Sequence, residues 1–414
     1  MAESKKPEIG DLIEFTWEGQ RFQGTLLSED SVYSNIKLIN GYNISIKLED
    51  YKILERSITR TQEVKRDMKV LGKGKPISLI TTGGTIVSRV DYKTGAVFPS
   101  LDMGELTSRF PYMEEKFSIN RVDFSNILSE NMEPDQWIQM AKLVDRELKR
   151  SEGVLISHGT DTMSYTASAL SFMFEKQRGP IILVGSQRSS DRPSSDSYLN
   201  IEAAVGFSAT DFGEVGIAMH HNSSDEKIDL IRGARSRKMH STRRDAFKAI
   251  GEGPVGRFQD GLVNFIRPYI RRVEENTIST KLEKRVGMIY FYPGLSVEEM
   301  EKNLDGKRGV ILIGTGLGHI AIKHLEAIKE KVKEGMKAVI TTQCIFGTTN
   351  LDVYSTGRQM KGAGIMDCGN ILPETAYVKM MYVLGNYDEN RFPEMMRKNM
   401  RGEILEREEM GVFP

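Results

Sequence analysis

The sequence predicts an α/β protein: two doubly wound parallel sheets in succession, preceded by a small β-barrel of SH3-like or Tudor-like type. Three observations carry this. Short β-branched runs without polar alternation, at 77–81, 153–157, 181–185 and 215–219, read as parallel strands covered on both faces. Helical patterns fill the gaps between them, and alternating strand and helix over such a length builds a doubly wound sheet. Before residue 59 the grammar is different, with short strands separated by turn residues.

The barrel is assigned to residues 1–58. Leu12-Ile13-Glu14-Phe15-Thr16-Trp17 alternates and stops at Glu18-Gly19. Runs at 36–39 and 44–48 flank Asn40-Gly41-Tyr42-Asn43, and an Asn-Gly between two such runs signals a hairpin. Acidic and basic residues balance here, so a packing module competes with a peptide-binding or RNA-binding one. Residues 59–75 are charge-rich, end in Gly72-Lys73-Gly74-Lys75 and read as a linker. They lack the spacing of a phosphate loop.

The first α/β domain is assigned to 76–284. Pro134 opens a helix lined by Trp137, Ile138, Ala141, Leu143, Val144 and Leu148. Further helices fit 163–175 and 197–208. A connector from about 242 to 284 contains Gly251-Glu252-Gly253-Pro254 and Phe258-Gln259-Asp260-Gly261-Leu262 and reads as a hairpin excursion. The second domain, 285–414, repeats the pattern with strands at 286–290, 310–314 and 338–342 and helices at 296–303, 319–333 and 374–384. The tail at 392–409, with Met395, Met396, Met400, Ile404 and Leu405, reads as an amphiphilic helix. It either docks another subunit or covers its own domain.

The totals exclude several classes. Lys+Arg and Asp+Glu are both 57 in 414 residues, which argues against gripping nucleic acid by bulk charge. Cys344 and Cys368 do not make a disulfide framework and point to a reducing compartment. The N-terminus lacks the apolar core of a signal peptide, and no run approaches the roughly 18 apolar residues of a membrane span. A soluble, cytoplasmic protein with no membrane contact is expected. The six histidines fall in no recognisable metal spacing, so no metal is expected.

Chemistry concentrates at two strand ends. Thr82-Gly83-Gly84-Thr85-Ile86 follows a strand with a glycine turn and then a hydroxyl, where α/β sheets hold their ligands. Thr85 is the candidate nucleophile. Ser157-His158-Gly159-Thr160-Asp161-Thr162-Met163 repeats the pattern and leads into a helix whose free N–H groups suit a developing anion. Thr160 and Asp161 are equally good helix N-caps. Ser157, His158 and Asp161 make a poor triad, because strand neighbours point to opposite faces. Gly314-Thr315-Gly316-Leu317-Gly318-His319 resembles a nucleotide turn, but its third glycine comes too early and no acid follows for a ribose. The polar run from Ser186 to Asp196 either lines the site or forms a surface loop.

The paired motifs at 82–86 and 158–163 resemble those of the bacterial-type L-asparaginase family, whose two-domain layout residues 77–390 follow, including Gly369-Asn370-Ile371-Leu372-Pro373-Glu374-Thr375-Ala376. The added barrel and linker are similar to those of the D-subunit family of archaeal glutamyl-tRNA(Gln) amidotransferases. In that family an asparaginase-like subunit releases ammonia, which an E subunit uses on phosphate-activated, tRNA-bound glutamate.

The resemblance implies roles. Thr85 is the nucleophile, Tyr92 the tyrosine of a mobile lid, Thr160 and Asp161 the second threonine and its acid, and Lys238 the lysine. Ser129 takes the substrate carboxylate. Glu130 stands where the family commonly has Gln, and His319 where it often has Asn. Backbone N–H groups at the Gly84 and Gly159–Thr160 turns face the substrate oxyanion.

It further implies glutamine or asparagine as substrate and no cofactor in this chain, with ATP and Mg used by the partner. It implies a homodimer that builds a heterotetramer with the E subunit, and tRNA contact mainly through that partner. An amide is a poor electrophile, so splitting hydrolysis into acylation and deacylation suits these residues. The competing readings are a free-standing L-asparaginase and an inactive tRNA-binding or scaffold subunit.

Overall fold

The computed structural model describes residues 6–8, 10–29, 32–38, 43–47, 51–55, 74–83, 88–90, 97–99, 115–188 and 194–409. Most of the linker, Asn40-Gly41, Gly84, Thr85 and Tyr92 lie outside these residues.

The N-terminal strands β1 (Leu12–Trp17), β2 (Gln20–Glu29), β3 (Ser34–Leu38), β4 (Asn43–Ile46) and β5 (Tyr51–Glu55) form one antiparallel sheet in the order β4-β3-β2-β1-β5, as expected of a small SH3-like barrel. Period-two alternation turns Ile13, Phe15, Leu26, Ile36, Leu38 and Ile46 into a separate core. Gly24 has a packing reason, since a Cβ there would lie 2.5 Å from the Lys37 carbonyl oxygen across the sheet.

The main sheet starts at β6 (Lys75–Thr81). Short strands β7 (Ser88–Val90) and β8 (Val97–Pro99) pair antiparallel within the expected lid. Then follow β9 (Phe117–Asp123), helix α1 (Pro134–Leu148), β10 (Gly153–Ser157), helix α2 (Met163–Met173), β11 (Phe174–Lys176), β12 (Ile181–Val184), helix α3 (Ser197–Ser208), β13 (Val215–His220) and β14 (Lys227–Arg232). The loop strands β15 (Ser236–Lys238) and β16 (Phe247–Ala249) pair with each other, and β17 (Gly256–Gln259) and β18 (Leu262–Phe265) form the expected hairpin. β19 (Thr277–Ile278) pairs with β11.

Eight strands make the sheet, in the order β18-β17-β14-β13-β12-β10-β6-β9. Five are parallel, and β14, β17 and β18 extend it antiparallel. The connector hairpin is therefore part of the sheet rather than an excursion from it. α1 and α2 cover one face and α3 the other.

The second domain is a parallel sheet of β20 (Val286–Tyr290), β21 (Gly309–Gly314), β22 (Lys337–Thr342) and β23 (Ile365–Asp367). Its helices are α4 (Val297–Leu304), α5 (Leu325–Lys333), α6 (Ser355–Gly362), α7 (Pro373–Asn386) and α8 (Phe392–Arg397). Small residues on α2 let α7 approach closely. Ser168 Oγ and Thr375 Oγ1 lie 3.1 Å apart, and the Phe172 and Tyr382 rings stack at 6.2 Å.

Three expectations need correction. Helix 163–175 stops at Met173, because Phe174 turns into β11 and pairs with Ile278. The helix expected from 319 begins only at Leu325. Thr315 and His319 close a tight turn with reciprocal 2.8 Å backbone bonds, and Gly318 at φ +96° reverses the chain first. The tail is helical only over Phe392–Arg397. The Lys379 ammonium takes the carbonyls of Met396 (2.8 Å) and Lys398 (2.6 Å), which ends the helix, and pairs with Glu403 at 2.6 Å. Met395 and Met396 are buried, so the tail covers its own chain. Among the described residues no helix is long and apolar enough to cross a membrane.

Lys379 and Glu403 are both fully buried. Removing one partner strands the other charge in the core, which costs about 3–5 kcal/mol, whereas replacing both by apolar groups is far milder. Lys379→Met is expected to lower the unfolding free energy by about that amount, and Lys379→Met with Glu403→Leu to recover part of it, since the Met396 and Lys398 carbonyls and the Met400 and Arg401 N–H groups still lose their partners. Urea denaturation of the three proteins checks this.

Candidate active site

The carboxyl ends of β6, β10 and β12 lie side by side and converge. Thr82 is locked to β10, its amide and its hydroxyl both bonding the Ser157 carbonyl, at 3.2 and 2.9 Å. Gly83 follows at φ +106°, and a Cβ there would lie 2.7 Å from the Ile127 carbonyl oxygen. Only glycine fits that conformation without strain. Gly84 and Thr85 are the next residues in the sequence.

Gly159 is pressed against Ser129: a Cβ would meet the Ser129 Cβ at 2.8 Å and Oγ at 2.9 Å. Ser129 is buried on a single 3-10 turn, and its carbonyl accepts the Thr162 hydroxyl at 2.6 Å. Its neighbour Glu130 is exposed. Gly185, at the end of β12, approaches the Thr160 methyl just as closely, at 2.8 Å for an added Cβ. The Asn200 amide holds the Gly185 carbonyl at 2.9 Å, and Asn200 Oδ1 accepts from His220 Nδ1 at 2.7 Å. Asp196 accepts the backbone N–H groups of Gln187 and Arg188. Burial raises the pKa of its carboxyl while these donors oppose the shift. The start and end of the 186–196 run are thus tied to the strand ends, and its middle lies outside the described residues.

Thr160 and Asp161 do not cap the helix. Thr162 is the N-cap of α2 and makes no capping bond with its side chain. The hydroxyl and the carboxylate are committed to Lys238 instead. Lys238 Nζ donates to Thr160 Oγ1 at 2.8 Å and to Asp161 Oδ1 at 2.8 Å. The lysine side chain is 15% exposed and that of Asp161 69%. A cleft of about 280 Å³ opens there, lined by Asp161, Lys238, Met239, His240 and Ser241.

Lys238 arrives from a segment anchored in the second domain. Arg235, fully buried, donates to the carbonyls of Ile250 (2.8 Å), Asn370 (2.7 Å) and Glu403 (3.1 Å). Thr375 Oγ1 bonds the Ala234 carbonyl at 3.1 Å, and Arg237 reaches Glu374 at 3.4 Å. Burial raises the Glu374 carboxyl pKa, and the charge of Arg237 works against that rise.

His158 serves no triad. Its Nε2 meets Thr166 Oγ1 at 2.9 Å and its Nδ1 meets the Gly159 carbonyl at 2.7 Å. Burial pushes its pKa down to about 4. His319 lies in the second domain with its ring 5.4 Å from that of Tyr354. Sequence reading missed Gly185, Arg235 and Glu374. Arg235 sits in a basic run that looks like surface, and nothing local marks it as buried.

A lysine shared by a strand-end hydroxyl and a carboxylate on this α/β fold is an arrangement suited to an amidohydrolase. The asparaginase N-terminal family model matches residues 76–271, and the glutaminase/asparaginase C-terminal model matches 285–396. The chain is 47% identical to the D subunit of the glutamyl-tRNA(Gln) amidotransferase of Thermoplasma volcanium, over 95% of this chain and 97% of the relative. It is 41% identical to the same-named protein of Saccharolobus solfataricus, over 98% and 95%. Among solved structures it is similar to the thermostable L-asparaginase of Thermococcus kodakarensis, with a TM-score of 0.73 and 28% identity over 80% of this chain and 99% of that one. The chain belongs to the asparaginase family and, within it, to the D subunits of glutamyl-tRNA(Gln) amidotransferases.

Two outcomes are expected. Lys238→Met should fold normally and lose about 10²–10⁴-fold in amide hydrolysis, measured as ammonia release, the range of one acid–base group. His158 is neutral in the folded chain down to about pH 4 but protonates near 6.5 once unfolded. The unfolded state therefore binds more protons in that window, and His158's share of stability is lost as pH falls from about 6.5 to about 4. Urea midpoints across that range should fall less steeply for His158→Gln than for the parent chain.

Proposed function

We propose that the chain is the ammonia-releasing subunit of a tRNA-dependent amidotransferase, hydrolysing the side-chain amide of glutamine or asparagine. The observation that carries this is Lys238 Nζ, held 2.8 Å from both Thr160 Oγ1 and Asp161 Oδ1 beside the strand end that leads to Thr85.

The Thr85 hydroxyl attacks the amide carbon. Its proton passes through the Thr160 hydroxyl to Lys238 Nζ and onward to the leaving nitrogen, which departs as ammonia. Asp161 balances the ammonium when Lys238 carries the proton. Backbone N–H groups at Gly84 and Thr160 take the charge on the carbonyl oxygen, and one such donor contributes roughly 3–4 kcal/mol in a protease of known mechanism. Water then hydrolyses the acyl-threonine by the same relay. Tyr92 closes over Thr85 with the lid and orients it. Ser129 and Glu130 hold the substrate's carboxylate and ammonium.

The ammonia goes to an E-type partner that spends ATP with Mg to activate tRNA-bound glutamate. No cofactor resides in this chain. Two copies pair and recruit the partner as a cytoplasmic heterotetramer, and tRNA binds mainly through the partner. The relatives' names and the barrel preceding the asparaginase domains support this over a free-standing asparaginase or an inert scaffold.

Thr85→Val should abolish ammonia release from glutamine and asparagine, and retained turnover would sink the nucleophile assignment. Affinity purification of the full chain from its source should bring down a larger ATP-dependent subunit. Robust asparagine hydrolysis indifferent to that subunit, to ATP and to Glu-tRNA would favour a free-standing asparaginase.

A further inference from the structure

His158 is 1% exposed and directly follows β10, at the start of the Gly159–Thr160 turn. Its two ring nitrogens complete a hydrogen-bond chain whose direction has only one solution. The Trp137 indole nitrogen can only donate, and it lies 3.0 Å from Thr166 Oγ1. The Thr166 hydroxyl accepts there and lies 2.9 Å from His158 Nε2. At the other nitrogen the partner is a carbonyl, so the proton of the neutral imidazole sits on Nδ1 and Nε2 accepts from Thr166. That proton is donated to the Gly159 carbonyl, which can only accept, at 2.7 Å. Burial, which pushes the ring pKa down to about 4, agrees with a neutral ring.

The Gly159 carbonyl belongs to the same peptide plane as the Thr160 N–H. In a trans peptide the two point in opposite directions. A carbonyl drawn toward the buried ring turns the N–H away from it. Glycine is the residue that most easily lets this plane rotate, and Gly159 has to be glycine because it packs against Ser129. The close packing that forbids a side chain leaves the peptide with little to hold it from within.

We infer that His158, set by Trp137 and Thr166, is a positioning residue that locks the Gly159–Thr160 peptide with the Thr160 N–H aimed at the substrate oxyanion. This rests on the hydrolytic reading above. The lock does not touch substrate. It acts on the step in which the carbonyl oxygen becomes an oxyanion, so it affects turnover rather than substrate binding.

Two pairs of variants in the full chain test it, assayed with its partner where turnover requires one. In His158→Asn the amide nitrogen takes the place of Nδ1 and keeps the bond to Gly159. In His158→Gln it takes the place of Nε2 and loses that bond. His158→Gln should lower kcat about tenfold or more with KM within about twofold, while His158→Asn stays within about threefold of the parent kcat. Thr166→Val should also lower kcat, and Thr166→Ser should restore it. Melting temperatures are recorded for all four.

Equal kcat for the Asn and Gln variants, a loss confined to KM, or kcat following melting temperature alone would overturn the inference. If neither His158 variant folds, the Thr166 pair decides, and equal kcat in Val and Ser overturns it. Abolished turnover in Thr85→Val with no difference within the pairs defeats this inference alone. Retained turnover in Thr85→Val defeats the hydrolytic reading and this inference together.

Discussion

Three strand-end glycines sit where no side chain fits, and most of the site follows from that. At Gly83, Gly159 and Gly185 an added Cβ would lie within 2.7–2.8 Å of a neighbouring turn. Gly83 lies against the Ile127 backbone, Gly159 against the Ser129 side chain and Gly185 against the Thr160 methyl, so a side chain at any of the three would push its neighbour away. This is why the parallel register of β6, β10 and β12 matters. Sliding one strand by a residue would put glycine where a hydroxyl is needed and turn every side chain of that strand to the other face.

The lysine comes from outside these turns. It comes from a loop strand 78 residues on from Thr160, and that loop is held largely by the second domain. Arg235 binds carbonyls from three separate segments, and each donor left unpaired in the core would cost free energy. The active site thus depends on both domains even where only the first supplies the reacting groups.

Much of the architecture was legible because buried parallel strands announce themselves. The strands at 153–157 and 286–290 and the helix at 197–208 match residue for residue. The antiparallel extension of the main sheet was harder to read, since β17 and β18 signal a hairpin but not which edge it joins. The helix expected from 319 failed because its apolar spacing continues through a turn that only backbone dihedrals reveal. The tail failed because Lys379 claims its carbonyls from another helix. Thr160, Asp161 and Lys238 were identifiable as candidates through motif and resemblance, and the 2.8 Å contacts joining them depend on the fold alone. Arg235 and Glu374 had no local signature, because a buried charge looks like a surface charge until its partners are placed.

The knot around Lys379 also has a bearing on synthesis. Glu403 pairs with Lys379 through its carboxylate and with Arg235 through its carbonyl, and the Asn370 side chain bonds both the N–H and the carbonyl of Leu405. A nascent chain arrested before residue 403 has both strand-end turns and the lysine, yet it lacks the segment that fastens the lysine's loop. Translation order therefore puts completion of the site after nearly everything else has been made.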